Sequence, residues 1–223
     1  MTNEERYSRY PGPPPYDDSK IDFRRFFGRD EEKLDLLYMI LGANLTVLYG
    51  KSGLGKTSLL QAGVFPLLQE RNHLPMYVRL NEQDKPPLEI FFDAFKEACR
   101  KREVDYTPGE RGGLWEFFKT SLFWDPKEGN ALIPVMVIDQ FEEIFTLQRS
   151  QNRCEITDHL VELLSSRIPD RLLESSNSGK RSAYSNQPPA VKVILSLRES
   201  HLGELQALAG QLLGRMSAHR SHS

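Results

Sequence analysis

The most informative segment of this chain is Leu48-Tyr49-Gly50-Lys51-Ser52-Gly53-Leu54-Gly55-Lys56-Thr57-Ser58-Leu59-Leu60. An apolar, β-branched run precedes it and helix-forming residues follow it, so the pattern predicts a strand, a glycine-rich turn and the start of a helix. Residues 50–57 fit G-x-x-x-x-G-K-[ST], the phosphate-binding loop. Glycines are needed because backbone N–H groups must close around phosphate oxygens, where a Cβ would clash, and because the turn needs positive φ. The segment therefore predicts a site for the phosphates of a nucleotide.

The last residues of the motif supply a positive charge and a metal ligand. Lys56 brings a compact cation to the β- and γ-phosphates, and the Thr57 hydroxyl is suited to ligate Mg²⁺. The helix that opens at Lys56 directs its unpaired N–H groups and its dipole toward the anion. A chance match is the alternative interpretation, and the strand and helix patterns on either side of the loop argue against it.

The composition is that of an ordinary globular chain. Its 223 residues are 39% apolar and carry a formal net charge of −2, which predicts one mid-sized α/β domain and no basic surface for nucleic acid. Cys99 and Cys154 fit no metal or redox spacing. No apolar run approaches the length of a membrane span, so we expect a cytoplasmic protein that contacts neither a membrane nor nucleic acid directly.

Changes in composition along the chain predict three regions. Residues 1–20 are proline-rich and predict a disordered tail, with a ligand for a proline-binding domain as the alternative. Residues 21–205 predict the folded domain, interrupted by a flexible Ser/Asn/Gly-rich loop at about 174–189. Residues 206–223 predict the remnant of a helix and a disordered tail.

Two stretches outside the phosphate loop have helical periodicity. Leu34, Leu37, Tyr38 and Leu41 recur at helical spacing and predict the buried face of a helix that precedes the loop strand. Residues 158–173 predict a second helix.

A second informative stretch is Ile133-Pro134-Val135-Met136-Val137-Ile138-Asp139. Its near-continuous apolar run predicts a strand buried on both faces, at the centre of a parallel sheet. Asp139 then lies at the carboxyl edge, where open α/β sheets bind their ligands. We expect Asp139 to contact Mg²⁺ directly or through another ligand; a strand-end or helix-capping role is the alternative.

Three further charged residues follow buried strands. Glu142 and Glu143 are placed to orient or deprotonate an attacking water, with Glu142 preferred, or else to stabilise the start of a helix. Arg198 ends the apolar run 190–197 and is suited either to sense the γ-phosphate or to form a structural ion pair. Both questions stay open at the level of the sequence.

With these pieces assembled, the chain resembles the STAND class of P-loop NTPases, and specifically the bacterial novel STAND NTPase 1 domain. The resemblance covers roughly residues 21–205. It is carried by Phe27-Gly28-Arg29-Asp30-Glu31-Glu32, by residues 48–66, by Val137-Ile138-Asp139-Gln140-Phe141-Glu142-Glu143-Ile144-Phe145, and by Leu195-Ser196-Leu197-Arg198-Glu199.

The resemblance implies an α/β fold: a three-layer sandwich of the ASCE type, with a mainly parallel central sheet and the phosphate-loop strand between two others. It implies ATP or ADP and Mg²⁺ as cofactors, nucleotide-gated signalling or assembly, and a homo-oligomer or a related STAND protein as partner.

The resemblance also assigns roles to individual residues. Lys56 and Thr57 match Walker A, Asp139 matches Walker B, Glu142 the additional acidic residue and Arg198 sensor 1. Gly28 and Arg29 match a turn on the adenine side. The candidate nucleotide-binding residues are Gly28, Arg29, Gly50, Lys51, Ser52, Gly53, Leu54, Gly55, Lys56, Thr57 and Ser58.

The chain departs from the family pattern after Arg198. Members usually continue through a helix, a fifth strand and a lid, whereas this sequence leads into a short helical stretch and a basic tail. We therefore expect a sheet that is one strand short and a nucleotide open on one side. Two functions remain: an ATP-binding switch that hydrolyses slowly with Mg²⁺, or a truncated, non-catalytic nucleotide-binding module that docks onto related full-length proteins.

Overall fold

The structure is a computed structural model that describes residues 29–165, 167–172, 184–185 and 187–218, with side chains as far as residue 210. The predicted tail at 1–20, Gly28 and most of the predicted loop at about 174–189 lie outside these residues.

Helices and strands alternate along most of the described chain. In order, they are α1 (Asp30–Gly42), β1 (Leu45–Gly50), α2 (Lys56–Ser58), a π-helix (Leu59–Val64), α3 (Phe65–Gln69), β2 (His73–Arg79), α4 (Pro87–Arg102), β3 (Asp105–Thr107), α5 (Leu114–Thr120), β4 (Leu122–Trp124), β5 (Ile133–Asp139), α6 (Glu143–Thr146), α7 (Ser150–Leu164), β6 (Lys192–Arg198), a 3-10 turn (Glu199–His201) and α8 (Leu202–Ala218).

Four strands form a parallel sheet in the order β1-β6-β5-β2, and β3 and β4 form a separate antiparallel ribbon. The register aligns the carboxyl ends of the strands: Gly50 pairs with Arg198, and Arg79 pairs with Asp139. Since parallel strands present their carboxyl ends at one edge, the charged residues that end β2, β5 and β6 lie along the same edge as the phosphate loop.

Side chains of the sheet alternate between two hydrophobic cores. Val135 and Val137 of β5 pack with α1 and the π-helix on one face. Met136 and Ile138 of the same strand pack with α4, α5 and α7 on the other face. This arrangement confirms the predicted three-layer α/β sandwich, and the burial of β5 on both faces explains its near-continuous apolar sequence.

The phosphate-loop strand lies at the edge of the described sheet. The expectation that β1 lies between two strands is wrong for these residues, because β1 pairs with β6 alone among the described strands. Leu45, Val47 and Tyr49 of β1 are exposed and line an apolar groove of about 390 Å³ between the sheet, α7 and α8.

The buried face of α1 differs from the predicted one. In α1 the buried residues include Leu36, Leu37 and Ile40, whereas Leu34 and Tyr38 are 42% and 63% exposed. Apolar residues occur on more than one side of this helix, so spacing alone did not identify the face that packs on the π-helix.

The helix predicted at 158–173 is α7, which begins at Ser150 and ends at Leu164. The part of α7 before Ile156 has no buried residue. The sequence therefore shows no apolar periodicity there, and the start of the helix at Ser150 was not predicted. Helix α7 does not continue to residue 173 as predicted. Pro169 follows its end, and the residue before a proline disfavours helical backbone.

The last helix crosses a predicted boundary. Helix α8 continues from residue 205 to residue 206, where the sequence predicted the end of the folded domain.

Within the described residues, no helix combines the length and the apolar character needed to cross a bilayer.

The face of α1 that packs on the π-helix can be tested with two leucine substitutions. Leu37 is fully buried and Leu34 lies three residues earlier at 42% exposure. We expect Leu37→Ala to lower the free energy of unfolding by about 2–5 kcal/mol, because it leaves a cavity. The control Leu34→Ala is expected to change it by about 0.5 kcal/mol or less. Urea unfolding measures both; equal losses would contradict the observed face.

Candidate nucleotide-binding site

The phosphate loop adopts the backbone that its glycines permit. Gly53 and Gly55 have φ of +80° and +71°, in the left-handed region that a side chain makes costly. The residues Lys51 to Leu54 are exposed, so the loop is open to solvent on its outer side. Ser58 ends the short helix α2 that follows the loop.

Lys56 occupies the inside of the loop. Its ammonium group donates hydrogen bonds to the carbonyl oxygens of Gly50, at 2.9 Å, and Lys51, at 3.1 Å. These contacts hold the positive charge where the loop curves, and a bound phosphate would compete with the two carbonyls for the same N–H groups.

Arg29 lies against the other side of the loop. Its guanidinium donates a hydrogen bond to the carbonyl of Leu54 at 2.9 Å and forms an ion pair with Glu32. The predicted adenine-side residue is therefore in contact with the phosphate loop, whereas its neighbour Gly28 lies outside the described residues.

Asp139 joins the loop to the centre of the sheet. The Thr57 hydroxyl donates to Asp139 Oδ2 at 2.6 Å, although the two residues are 82 positions apart. Tyr77 Oη donates to the same oxygen at 2.9 Å, and Ser196 Oγ donates to Oδ1 at 2.7 Å. Asp139 is 1% exposed, and its carboxylate accepts hydrogen bonds from these three hydroxyl groups.

Glu142 is paired with the predicted sensor arginine. Arg198 Nε lies 3.1 Å from Glu142 Oε1, and the Arg198 backbone N–H donates to Oε2 at 3.2 Å. Glu142 is buried and the Arg198 side chain is half-exposed. The structural ion pair that the sequence left as an alternative is thus formed, with the guanidinium still open to solvent at the carboxyl edge.

Glu143 is paired with an arginine from another strand. Arg79, the last residue of β2, forms an ion pair with Glu143 and donates to Gln140 Oε1 at 2.6 Å. Burial alone would lower the pKa of Arg79, but hydrogen bonds to Glu143 and Tyr77 outweigh it and raise the pKa. Gln140 has φ of +52°, which is uncommon for a residue with a side chain.

Several residues of this site were not predicted: Tyr77, Arg79, Gln140 and Ser196. Ser196 had a detectable signal, since it is a single hydroxyl within the buried apolar strand β6. Tyr77 had none, because a tyrosine in a half-buried strand is ordinary and only the pairing of β2 with β5 brings it to Asp139.

The donor set suits a magnesium ion. Hydroxyl and carboxylate oxygens are the ligands that Mg²⁺ prefers, and the ion usually binds through one or two protein groups, phosphates and water. Thr57 and Asp139 provide such a pair. Within the described residues, no group of three or more His, Cys, Asp or Glu side chains is placed to hold a metal.

A comparison with known families decides the class. A model described as Novel STAND NTPase 1 matches residues 10–221. The chain belongs to this STAND NTPase family. A nucleotide-binding P-loop NTPase domain follows from that membership, with the loop, Thr57 and Asp139 arranged as above.

One solved structure is similar to this STAND NTPase chain at the level of the fold. The Walker-type ATPase paby2304 of Pyrococcus abyssi is 17% identical, with a TM-score of 0.51, over 88% of this chain and 51% of that one. The ORC2 protein of Aeropyrum pernix in ADPNP–ADP complexes is 13% identical, with a TM-score of 0.48, over 87% of this chain and 48% of that one. This STAND NTPase chain therefore spans about half the length of the solved proteins it matches. A search of the curated proteins gives no match.

The pairing of Glu142 with Arg198 can be measured by a double-mutant cycle. We expect Arg198→Ala and Glu142→Gln to show a coupling free energy of about 1–2 kcal/mol in urea unfolding, because the carboxylate is buried. The control pair, Arg149 and Asp84, is exposed on both sides and should couple by about 0.5 kcal/mol or less. Coupling no larger than in the control pair would contradict a buried interaction.

Proposed function

We propose that the chain is an ATP-binding domain that hydrolyses ATP slowly with Mg²⁺ and acts as a nucleotide-dependent switch in signalling or assembly. The observation that carries the proposal is the hydrogen bond from Thr57 to Asp139, which places a Walker A hydroxyl on a Walker B carboxylate. Family membership supports the nucleotide-binding part independently.

The residues of the loop suit the phosphates of ATP or ADP. Lys56 exchanges its hydrogen bonds to the carbonyls of Gly50 and Lys51 for bonds to β- and γ-phosphate oxygens. The N–H groups of residues 51–58 surround the same anion. Arg29, which contacts the phosphate loop, is proposed to border the adenine side of the nucleotide. No guanine-reading Asn/Thr-Lys-x-Asp segment occurs in the sequence, which favours ATP over GTP.

Thr57 and Asp139 are the residues that would hold Mg²⁺. A hydroxyl has one proton and two lone pairs. The Thr57 O–H group donates a hydrogen bond to Asp139, and a lone pair of the same oxygen remains for the metal. Asp139 thus acts through Thr57 and through metal-bound water. The metal supplies charge neutralisation for the phosphates.

Slow hydrolysis is consistent with the state of the two glutamates. Glu142 is the candidate that orients or deprotonates water, with Glu143 second, and each carboxylate forms an ion pair with an arginine. The guanidinium groups occupy carboxylate oxygens to which the attacking water would otherwise donate a hydrogen bond. Glu142 therefore acts only after the γ-phosphate attracts Arg198, which gives the site its dependence on nucleotide state.

A second candidate is a non-catalytic nucleotide-binding module that docks onto related proteins. The same ion pairs favour it, since neither glutamate is available in the described arrangement. Light scattering with and without ATP separates the two: a strictly monomeric protein that turns over ATP excludes the docking module.

Nucleotide binding is tested by titration with a fluorescent ATP analogue and Mg²⁺. We expect saturable binding, weakened at least about tenfold by Lys56→Ala, which corresponds to about 1.4 kcal/mol. The control Lys96→Ala removes an exposed lysine of α4 and should leave the affinity unchanged. Absence of saturable binding, or equal affinity of Lys56→Ala and wild type for the ATP analogue, would contradict the proposal.

Turnover is tested separately by the release of phosphate. We expect a slow, Mg²⁺-dependent rate that Glu142→Gln lowers by about 10²-fold or more, the range of a lost acid–base group. A rate that survives in both Lys56→Ala and Glu142→Gln would indicate that another protein produces the phosphate.

A further inference from the structure

Asp139 is held from both sides by the strands that flank β5. Tyr77 belongs to β2 and Ser196 to β6, and each side chain donates a hydrogen bond to the carboxylate. Thr57 supplies the third donor from α2, the short helix that follows the phosphate loop. The carboxylate is thus fixed by three elements that are distant in sequence.

Hydrogen bonds hold this carboxylate in the described part of the chain. The ion pairs of the site among these residues involve Glu142 and Glu143 and leave Asp139 without a basic partner. A buried carboxylate needs strong hydrogen bonds in place of water. Tyr77 and Ser196 supply two of the three hydrogen bonds that orient Asp139 inside the sheet.

The two oxygens of the carboxylate are used differently. Oδ1 accepts from Ser196 alone, whereas Oδ2 accepts from both Thr57 and Tyr77. Because Oδ1 accepts a hydrogen bond from β6, rotation of the carboxylate about its Cβ–Cγ bond is restrained, and Oδ2 faces Thr57. Tyr77 donates a second hydrogen bond to Oδ2 and restrains it further.

We propose that Tyr77 and Ser196 are positioning residues for the magnesium site. They hold Asp139 so that the Thr57 hydroxyl keeps its hydrogen bond to Oδ2 and presents a lone pair to the cation that accompanies the nucleotide. This inference rests on the proposed function and adds to it two residues outside the motifs.

The test compares nucleotide affinity with Mg²⁺ and with EDTA in the intact chain. Tyr77→Phe and Ser196→Ala each remove one hydroxyl and keep the rest of the packing. The first matched control is Tyr106→Phe, which removes a phenol that packs against the core on the opposite face of the sheet from Tyr77. The second is Ser121→Ala, which removes a buried hydroxyl that has no hydrogen-bond partner among the described residues. Asp139→Asn serves as the reference for a lost metal effect.

We expect Mg²⁺ to tighten binding of the ATP analogue in wild type. In Tyr77→Phe and Ser196→Ala this enhancement should fall about tenfold, the usual effect of losing a partner of a metal ligand, while the affinity in EDTA stays unchanged. The two control variants should keep the full enhancement, and Asp139→Asn should lose most of it.

Different results identify which proposal fails. Wild-type protein without saturable binding overturns the proposed function and this inference together. Wild-type protein that binds with a Mg²⁺ enhancement, retained in both variants, overturns the inference alone. Affinities that fall equally with Mg²⁺ and EDTA, together with a lower melting temperature, assign the hydroxyls a purely structural role. If Tyr77→Phe does not fold, Ser196→Ala tests the opposite donor by itself.

Discussion

The hydrogen bond between Thr57 and Asp139 connects the two halves of the nucleotide site. The phosphate loop follows β1 at one edge of the described sheet, and the carboxylate ends β5, with β6 between them. The bond therefore forms only when three parallel strands are in register and the short helix after the loop points across them. Thr57 and Asp139 would each have an ordinary structural role if they were apart; their contact makes the site chemically specific.

Charge balance governs the rest of the carboxyl edge. Each buried glutamate after β5 faces an arginine that ends a neighbouring strand: Arg198 for Glu142 and Arg79 for Glu143. Removing one partner of such a pair leaves a buried charge with less compensation, which is more costly than losing an exposed pair. The two buried carboxylates of this edge are therefore restrained by their arginine partners. Any anion that attracts the half-exposed Arg198 changes the environment of Glu142 at once, so the two residues respond together.

The sequence predicted those parts of the molecule that depend on local pattern. The phosphate loop is fixed by glycines whose positive φ has been observed, and β5 is apolar throughout because it is buried on both faces. Features that depend on long-range pairing were missed or misplaced. The edge position of β1, the buried face of α1 and the contact of Tyr77 with Asp139 all require the strand order. A local pattern states that a strand or helix exists, whereas its neighbours are decided by packing across the whole chain.

The pairing of β1 bears on how the domain acquires its site during synthesis. Leu45 pairs with Val193, so the strand that leads into the phosphate loop gains its described partner only after the chain has been made as far as β6. Such distant contacts form late, because closing a long loop costs entropy before any contact compensates for it. A ligand that recognises the finished loop binds the native chain and not its precursors, and by mass action it draws the folding equilibrium toward the native state. The cellular concentration of nucleotide thereby becomes a determinant of how much of this chain is folded.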